Sequence, residues 1–195
     1  MALNNVFMEI RQKILEMLKE KLPAELTYHS IEHTLDVLQA TEWISKAENV
    51  TDEELSLLKT AALFHDVGYI YSRENHEQKS CTIARDILSS NGIDNSTIEK
   101  VCALILATIF PHNPKNKLGE IICDADLDYL GRDDYFVISQ KAFNEFKHFG
   151  IVNNEADWKN MQMKFLESHR YYTTTSITLR KSKKEEHLMK IKNSI

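Results

Sequence analysis

Glycine and proline are scarce in this sequence, which has only five glycines and three prolines among 195 residues. β-Sandwiches and barrels need many tight turns, and these two residue types favour such turns. All three prolines fall between helix-like segments, and no stretch of useful length alternates apolar and polar residues. These absences argue against an all-β fold, while 43% hydrophobic and 27% charged residues are ordinary for a soluble globular protein.

Cysteine and long apolar runs are scarce as well. The three cysteines, Cys81, Cys102 and Cys123, are unclustered and odd in number, which favours reduced thiols and excludes zinc-ribbon spacing. No run approaches the ~18 apolar residues of a membrane span. The first ten residues lack the basic start and apolar stretch of a signal peptide. We therefore expect a cytoplasmic protein that does not enter a membrane.

Charge is distributed unevenly along the chain, whose net charge is −5. Residues 179–195 contain six basic and two acidic side chains. Such a run is typical of a solvated helix face, and it lacks the interleaved aromatic residues of a nucleic-acid groove. The sequence therefore predicts no clear nucleic-acid surface.

The spacing of apolar residues is helical along most of the chain. Ser30 and Thr51 are predicted N-caps, Thr51 within a capping box with Glu54, and Gly68 is a predicted C-cap. The expected helices cover approximately 6–22, 34–47, 52–67, 76–88, 95–110, 118–130, 133–149, 155–171 and the segment after 173. This pattern predicts one domain, an all-α bundle of about eight or nine helices.

The apolar run 61–68 contains one adjacent polar pair, His65 and Asp66. Burying an imidazole beside a carboxylate costs several kcal/mol unless a partner compensates, and a divalent metal ion is a suitable partner. Asp126 shares a helical stripe with apolar residues and is the best internal carboxylate, whereas Asp128 suits a solvated face. His33 lies four residues after His29, so the two can share a helix face.

The other histidines are less informative. His148 and His187 have polar sequence neighbours and are expected at the surface. His112 lies between two prolines, where a solvent-exposed loop position is favoured over a ligand.

His33, the pair His65–Asp66, and Asp126, in this order, resemble the signature of the HD-domain superfamily of metal-dependent phosphohydrolases. The resemblance covers about 28–132 and includes Tyr28-His29-x-x-Glu32-His33. It implies an HD-domain/PDEase-like helical bundle in which 1–195 form a single HD domain, with a core at 28–132 and helices 133–195 packed on it.

The resemblance implies that these four residues hold one divalent ion, which can be Mn, Fe, Co, Ni, Zn or Mg. His76 and Glu77 are the implied acid–base residues. Substrate contacts are expected from the following residues: Arg132, Thr108, His29, His169 and Arg170. Thr108 stands where dinuclear members carry a further histidine, so a second ion is not expected.

The expected activity is hydrolysis of a phosphate monoester or diester, either a nucleotide or another small phosphorylated metabolite, by a metal-activated water. A homodimer is compatible with the sequence. Two alternatives stay open: a non-catalytic nucleotide-binding regulatory module, and an HD-type oxygenase with two irons.

Overall fold

A computed structural model of the protein describes residues 3–193, and these form nine α-helices with no β-strand. The prediction of an all-α bundle is confirmed. The helices are α1 (Leu3–Lys21), α2 (Ile31–Ala47), α3 (Asp52–Phe64), α4 (His76–Ser90), α5 (Asn95–Ala107), α6 (Lys117–Asp126), α7 (Tyr135–His148), α8 (Glu155–Ser168) and α9 (Thr174–Asn193). Short 3₁₀ turns occupy Val67–Ile70 and Asp128–Gly131. Among residues 3–193, no helix combines the length and apolarity that a membrane crossing requires.

Local signals place the starts of α2 and α3 as predicted. The His33 amide donates to Ser30 Oγ at 3.4 Å, which caps α2. At α3, the Glu54 amide donates to Thr51 Oγ1 at 3.3 Å and the Thr51 amide donates to the Glu54 carboxylate at 2.8 Å. Such reciprocal bonds satisfy amides that a helix start leaves unpaired, so these boundaries depend on nearby residues alone.

The end of α3 differs from the prediction, because Gly68 does not cap the helix. The helix stops before His65, and Gly68 lies inside the 3₁₀ turn Val67–Ile70. A Cβ atom on Gly68 would lie 1.9 Å from the carbonyl oxygen of His76, so only glycine allows this turn to approach α4. Ser80 joins the two segments, since its hydroxyl accepts from the Gly68 amide and donates to the His65 carbonyl, both at 2.8 Å.

The larger apolar core is formed by the first six helices, α1 through α6. The apolar side of each helix turns inward, and the fully buried side chains here include Ile14, Ile44, Leu58, Phe64, Leu88, Ile105 and Ile121. Close packing of these residues fixes the relative positions of α2, α3 and α6. All three cysteines are buried free thiols.

A second core connects α7, α8 and α9 to the 3₁₀ turn Asp128–Gly131. Here two surface predictions are wrong. Asp128 is 1% exposed and accepts from Arg180 Nε at 2.7 Å, and burial raises the pKa of its carboxyl group. His187 is also 1% exposed, and its Nδ1 donates to the Leu130 carbonyl at 3.0 Å. Both predictions were wrong because α9, which carries Arg180 and His187, packs on the 3₁₀ turn Asp128–Gly131, and this turn lies far from α9 along the chain. His148 is exposed, as predicted.

Candidate metal centre and cavity

Four side chains predicted as metal ligands come from three separate parts of the chain. His33 lies in the first turn of α2, His65 and Asp66 follow the end of α3, and Asp126 is the last residue of α6. Because α2, α3 and α6 pack on one another in the larger core, these three helix ends meet.

The polar atoms of these side chains face one another at similar distances. His33 Nε2 lies 3.3 Å from His65 Nε2 and 3.2 Å from Asp126 Oδ1. His65 Nε2 lies 3.2 Å from Asp66 Oδ2 and 3.5 Å from Asp126 Oδ1. Ligand atoms bonded at about 2.1 Å to one ion are separated by roughly 3.0–3.4 Å. The spacing therefore fits a shared divalent ion, and the donor atoms of His33, His65 and Asp66 lie within 4.8 Å of one another.

The hydrogen bonds behind the cluster also fit a metal site. His65 Nδ1 donates to the Ala62 carbonyl at 2.8 Å, so Nε2 is the ring nitrogen directed to the cluster. Asp66 Oδ2 is buried and accepts no hydrogen bond from any part of the chain that the structure describes. A buried carboxylate oxygen of this kind needs a compensating charge, which an ion supplies.

Burial and neighbouring charges shift the pKa values of these groups in opposite directions. For Asp66, burial raises the pKa, but His65 and then His76 outweigh it and hold the pKa well below its usual range. For His65, burial lowers the pKa, but Asp66 and Asp126 raise it well above the ordinary value. The centre is thus an electrostatically coupled set of acidic and basic groups.

His76 and Glu77 lie beside the four predicted ligands, at the first turn of α4. His76 Nε2 is 3.4 Å from Asp66 Oδ1 and 3.4 Å from Glu77 Oε1. His76 Nδ1 donates to the Arg73 carbonyl at 3.1 Å, so the opposite nitrogen points to the carboxylates. Asn75, in the left-handed region with φ of 54°, directs the chain into this position.

His112 is a histidine whose place the sequence misjudged. Its side chain is only 3% exposed, and its Nε2 lies 3.8 Å from Asp126 Oδ2. Burial lowers the pKa of His112. Thr108 lines the same cavity, where its hydroxyl donates to the Ile105 carbonyl at 2.8 Å. Two prolines near His112 indicated a loop, and they carried no signal that the loop folds back over α6.

His29 lines the cavity, but both of its ring nitrogens have partners. Nδ1 donates to Glu145 Oε1 at 2.5 Å, and Nε2 accepts from the Tyr69 hydroxyl at 3.0 Å. The other oxygen of Glu145 accepts from the Tyr28 amide at 2.8 Å and the His29 amide at 3.0 Å. Glu145, a fully buried residue of α7, thus anchors the segment that precedes α2, and the sequence held no sign of it.

Three predicted substrate contacts lie outside the cavity, which corrects the sequence-based expectation. Arg132 is held at 2.7 Å by both Asp36 and Asp134. Arg170 is exposed and lies over the Tyr172 ring. His169, the residue that follows α8, is buried and lines a different surface hollow. These residues lie close in sequence to a predicted ligand or to one another, but the fold does not bring them to the cavity.

Arg73, which the sequence did not single out, does line the cavity. Its guanidinium carbon lies 4.5 Å from the centre of the Phe149 ring, and its Nε is buried without a hydrogen-bond acceptor among residues 3–193. The only available signal was one basic residue shortly before His76.

The cavity has a volume of about 350 Å³ and contains three of the predicted ligands, His33, Asp66 and Asp126, in its wall. Residues of α7 and α8 also line the cavity. The fold and the site together define an all-α protein with a candidate histidine–aspartate metal centre in a cavity.

Comparison with known families agrees with this description. The family model described as HD domain matches residues 30–128, just over half of the chain, and the chain therefore belongs to the HD-domain family. HD domains bind divalent metals and are typical of metal-dependent phosphohydrolases, as the sequence resemblance implied. Neither the curated proteins nor the solved structures include a significant match to the chain.

Proposed function

We propose that this HD-domain protein is a metal-dependent phosphohydrolase that cleaves a small phosphate ester. The observation that carries the proposal is the convergence of His33, His65, Asp66 and Asp126 beside a cavity of about 350 Å³. Pockets of this size are typical of small-molecule sites. A nucleotide remains one candidate substrate within this class.

The four residues would hold a divalent ion through two imidazoles and two carboxylates. Two negative charges balance the ion, and the mixed nitrogen and oxygen donors suit Mn, Fe, Co, Ni or Zn. When bound, such an ion polarises a phosphoryl oxygen and lowers the pKa of a bound water to near neutrality.

His76 is the proposed proton-transfer residue, supported by Glu77. Its Nδ1 is anchored on the Arg73 carbonyl, so Nε2 is the atom available at the cavity surface. A proton held at Nε2 can pass to the oxygen of the leaving group, and such positioned transfer contributes typically 10²–10⁴-fold to a rate.

Arg73 is the proposed phosphate contact and replaces Arg132 in that role. A guanidinium group donates two parallel hydrogen bonds to a phosphate, and the Nε–H of Arg73 is not used within the described chain. The hydroxyl of Thr108 is a second polar group at the wall, although its proton is already donated to Ile105.

The number of ions is part of the proposal. Thr108 stands where dinuclear members carry a further histidine, which favours one ion. His76 beside Asp66 and His112 beside Asp126 nevertheless provide two further nitrogen atoms of the kind that a second ion needs. Metal analysis that returns one ion per chain supports the hydrolase with a single ion. Two irons per chain would favour the alternative of an oxygenase.

The test is to strip the protein with a chelator, reload it with each ion in turn, and measure bound metal and phosphate release from a panel of esters. His65→Ala and Asp66→Asn should lose both metal and activity, while the control His148→Ala keeps both. A variant without metal and with full activity would overturn the proposal. Tight nucleotide binding without turnover would instead support the regulatory alternative.

A further inference from the structure

The residues that line the cavity fall into two chemically different groups. One group is the candidate metal centre, and the other, called here the aromatic wall, consists of apolar and aromatic side chains from α7 and α8 together with one ring from the loop after α5. These side chains are Ala142, Phe146, Trp158, Met161, Phe165 and Phe110. The proposed chemistry at the metal centre uses none of them.

The aromatic wall is held in place by its own contacts. The ring centre of Phe146 lies 5.6 Å from that of Trp158, and the ring centre of Phe110 lies 4.8 Å from that of Phe165. Gln162 fastens α8 to α7, since its amide nitrogen donates to the Tyr135 hydroxyl at 2.9 Å and to Ser139 Oγ at 2.5 Å. A wall built in advance binds a flat ligand without a large ordering cost.

The cavity contains little positive charge. Among the residues that the structure describes, Arg73 is the single arginine or lysine in its wall, whereas Asp66, Glu77 and Asp126 contribute three carboxylates. A divalent ion and one arginine are sufficient for one phosphate group. Asp66 and Asp126 already balance the ion and Glu77 adds a third negative charge, so each additional phosphate would need cations that the wall does not provide.

We infer that the cavity selects a phosphate ester with a single phosphate group and a flat apolar or aromatic alcohol portion, which packs against Trp158 and Phe165. The inference rests on the proposed function, because the metal centre orients the phosphate end. It excludes nucleoside triphosphates as preferred substrates because the cavity has no cations to compensate their additional phosphates. It excludes small polar phosphates because they leave the aromatic wall uncovered.

The first experiment compares phenylphosphonate with methylphosphonate by calorimetry on the Mn²⁺-loaded protein. Neither carbon–phosphorus bond is open to ester hydrolysis, so binding is measured independently of turnover. Phenylphosphonate should bind at least about tenfold more tightly, a difference of about 1.4 kcal/mol. Equal affinities would overturn the inference.

Variants locate the preference on the aromatic wall. Trp158→Leu should reduce the phenyl preference to less than about threefold and leave methylphosphonate affinity unchanged. Trp43→Leu is the matched control, because Trp43 lies under the Arg180 guanidinium, outside the cavity lining. Phe165→Leu makes the same test if Trp158→Leu does not fold. An unchanged preference in the folded cavity variant would overturn the inference.

The charge argument is tested by competition against phenylphosphonate at constant free Mn²⁺. Adenosine 5′-monophosphate should compete at least about tenfold better than adenosine 5′-triphosphate, and the reverse order would overturn the inference. If esters are hydrolysed but phenylphosphonate binds no more tightly than methylphosphonate, the inferred selectivity is overturned and the proposed function stands. A phenyl preference with no hydrolysis of any ester would overturn the proposed function and support the selectivity.

Discussion

The Nε2 atom of His76 lies 3.4 Å from Asp66 Oδ1, although the two residues are ten positions apart in sequence and a 3₁₀ turn lies between them. The contact depends on Gly68, whose missing side chain allows the turn to lie against the start of α4. The position of the proposed proton-transfer residue is therefore set by backbone packing as much as by its own side chain.

Gly68→Ala should disturb this contact. The added Cβ would meet the His76 carbonyl oxygen at 1.9 Å, so α4 has to move, and we expect a loss of at least about 2 kcal/mol in the free energy of unfolding. Denaturant titration measures this loss. Gly119→Ala is the control, because there the nearest atom outside its own helix lies 3.2 Å away. Equal stability of the two variants would contradict the packing argument.

His76→Gln should separate catalysis from metal binding. The glutamine side chain keeps a polar group near Asp66 but holds no transferable proton, so turnover should fall by about 10²–10⁴-fold while the metal content stays unchanged. Phosphate release and elemental analysis are measured on the same preparation, with His148→Gln as control. Loss of bound metal would assign His76 to the ligand set instead.

Arg73→Ala and Arg132→Ala should affect different properties. Arg73 lines the cavity, so its loss should raise the KM for a phosphate ester by about tenfold. Arg132 bridges Asp36 and Asp134, so its loss should lower stability by about 1 kcal/mol and leave KM unchanged. Steady-state kinetics measures KM and thermal unfolding measures stability, and both are determined for each variant. A raised KM in the Arg132 variant alone would restore the expectation from the sequence.

The pH dependence of stability should include a contribution from His169. Burial, then Lys184 and His112, lower the pKa of this imidazole from 6.5 to about 3. The unfolded chain therefore binds one more proton than the folded protein between these values, so this group makes stability fall as pH decreases below about 6.5. From pH 7 to pH 5 the loss should be about 2 kcal/mol.

His169→Phe removes this titration and keeps a ring beside Tyr171, whose centre lies 4.7 Å from that of His169. The variant should lose about 2 kcal/mol less than the natural chain over the same pH interval, measured by urea titration at each pH. The exposed His148→Phe serves as the control. An identical pH slope in the His169 variant would show that the imidazole is not held neutral.

Helix positions were accessible from the sequence because their signals are local, and the family was accessible because its signature depends only on the order of a few residues along the chain. The Thr51 capping box involves residues three apart, and apolar periodicity is a property of neighbouring turns. The four predicted ligands were found by their order and by the cost of burying polar groups in apolar helices. Their assignment as ligands stays a prediction until metal is measured.

The assignment of isolated charged and titratable residues was less successful. Arg132 was expected to contact phosphate and Asp128 to be solvated, yet the first is paired with carboxylates and the second is buried beneath Arg180. His112 was expected in a solvent-exposed loop and Arg73 was not singled out, yet both line the cavity. In each case the partner or the covering helix lies far away along the chain.

The sequence by itself determined the all-α class, the starts of the helices and the membership of the HD-domain family, because helix signals involve residues close together in the chain and the family signature depends only on the order of its residues. Only the tertiary structure decided which side chains share the cavity and which wall carries aromatic rings. The reason is physical: a charge or a ring acts through its neighbours in space, and packing of α7, α8 and α9 selects those neighbours.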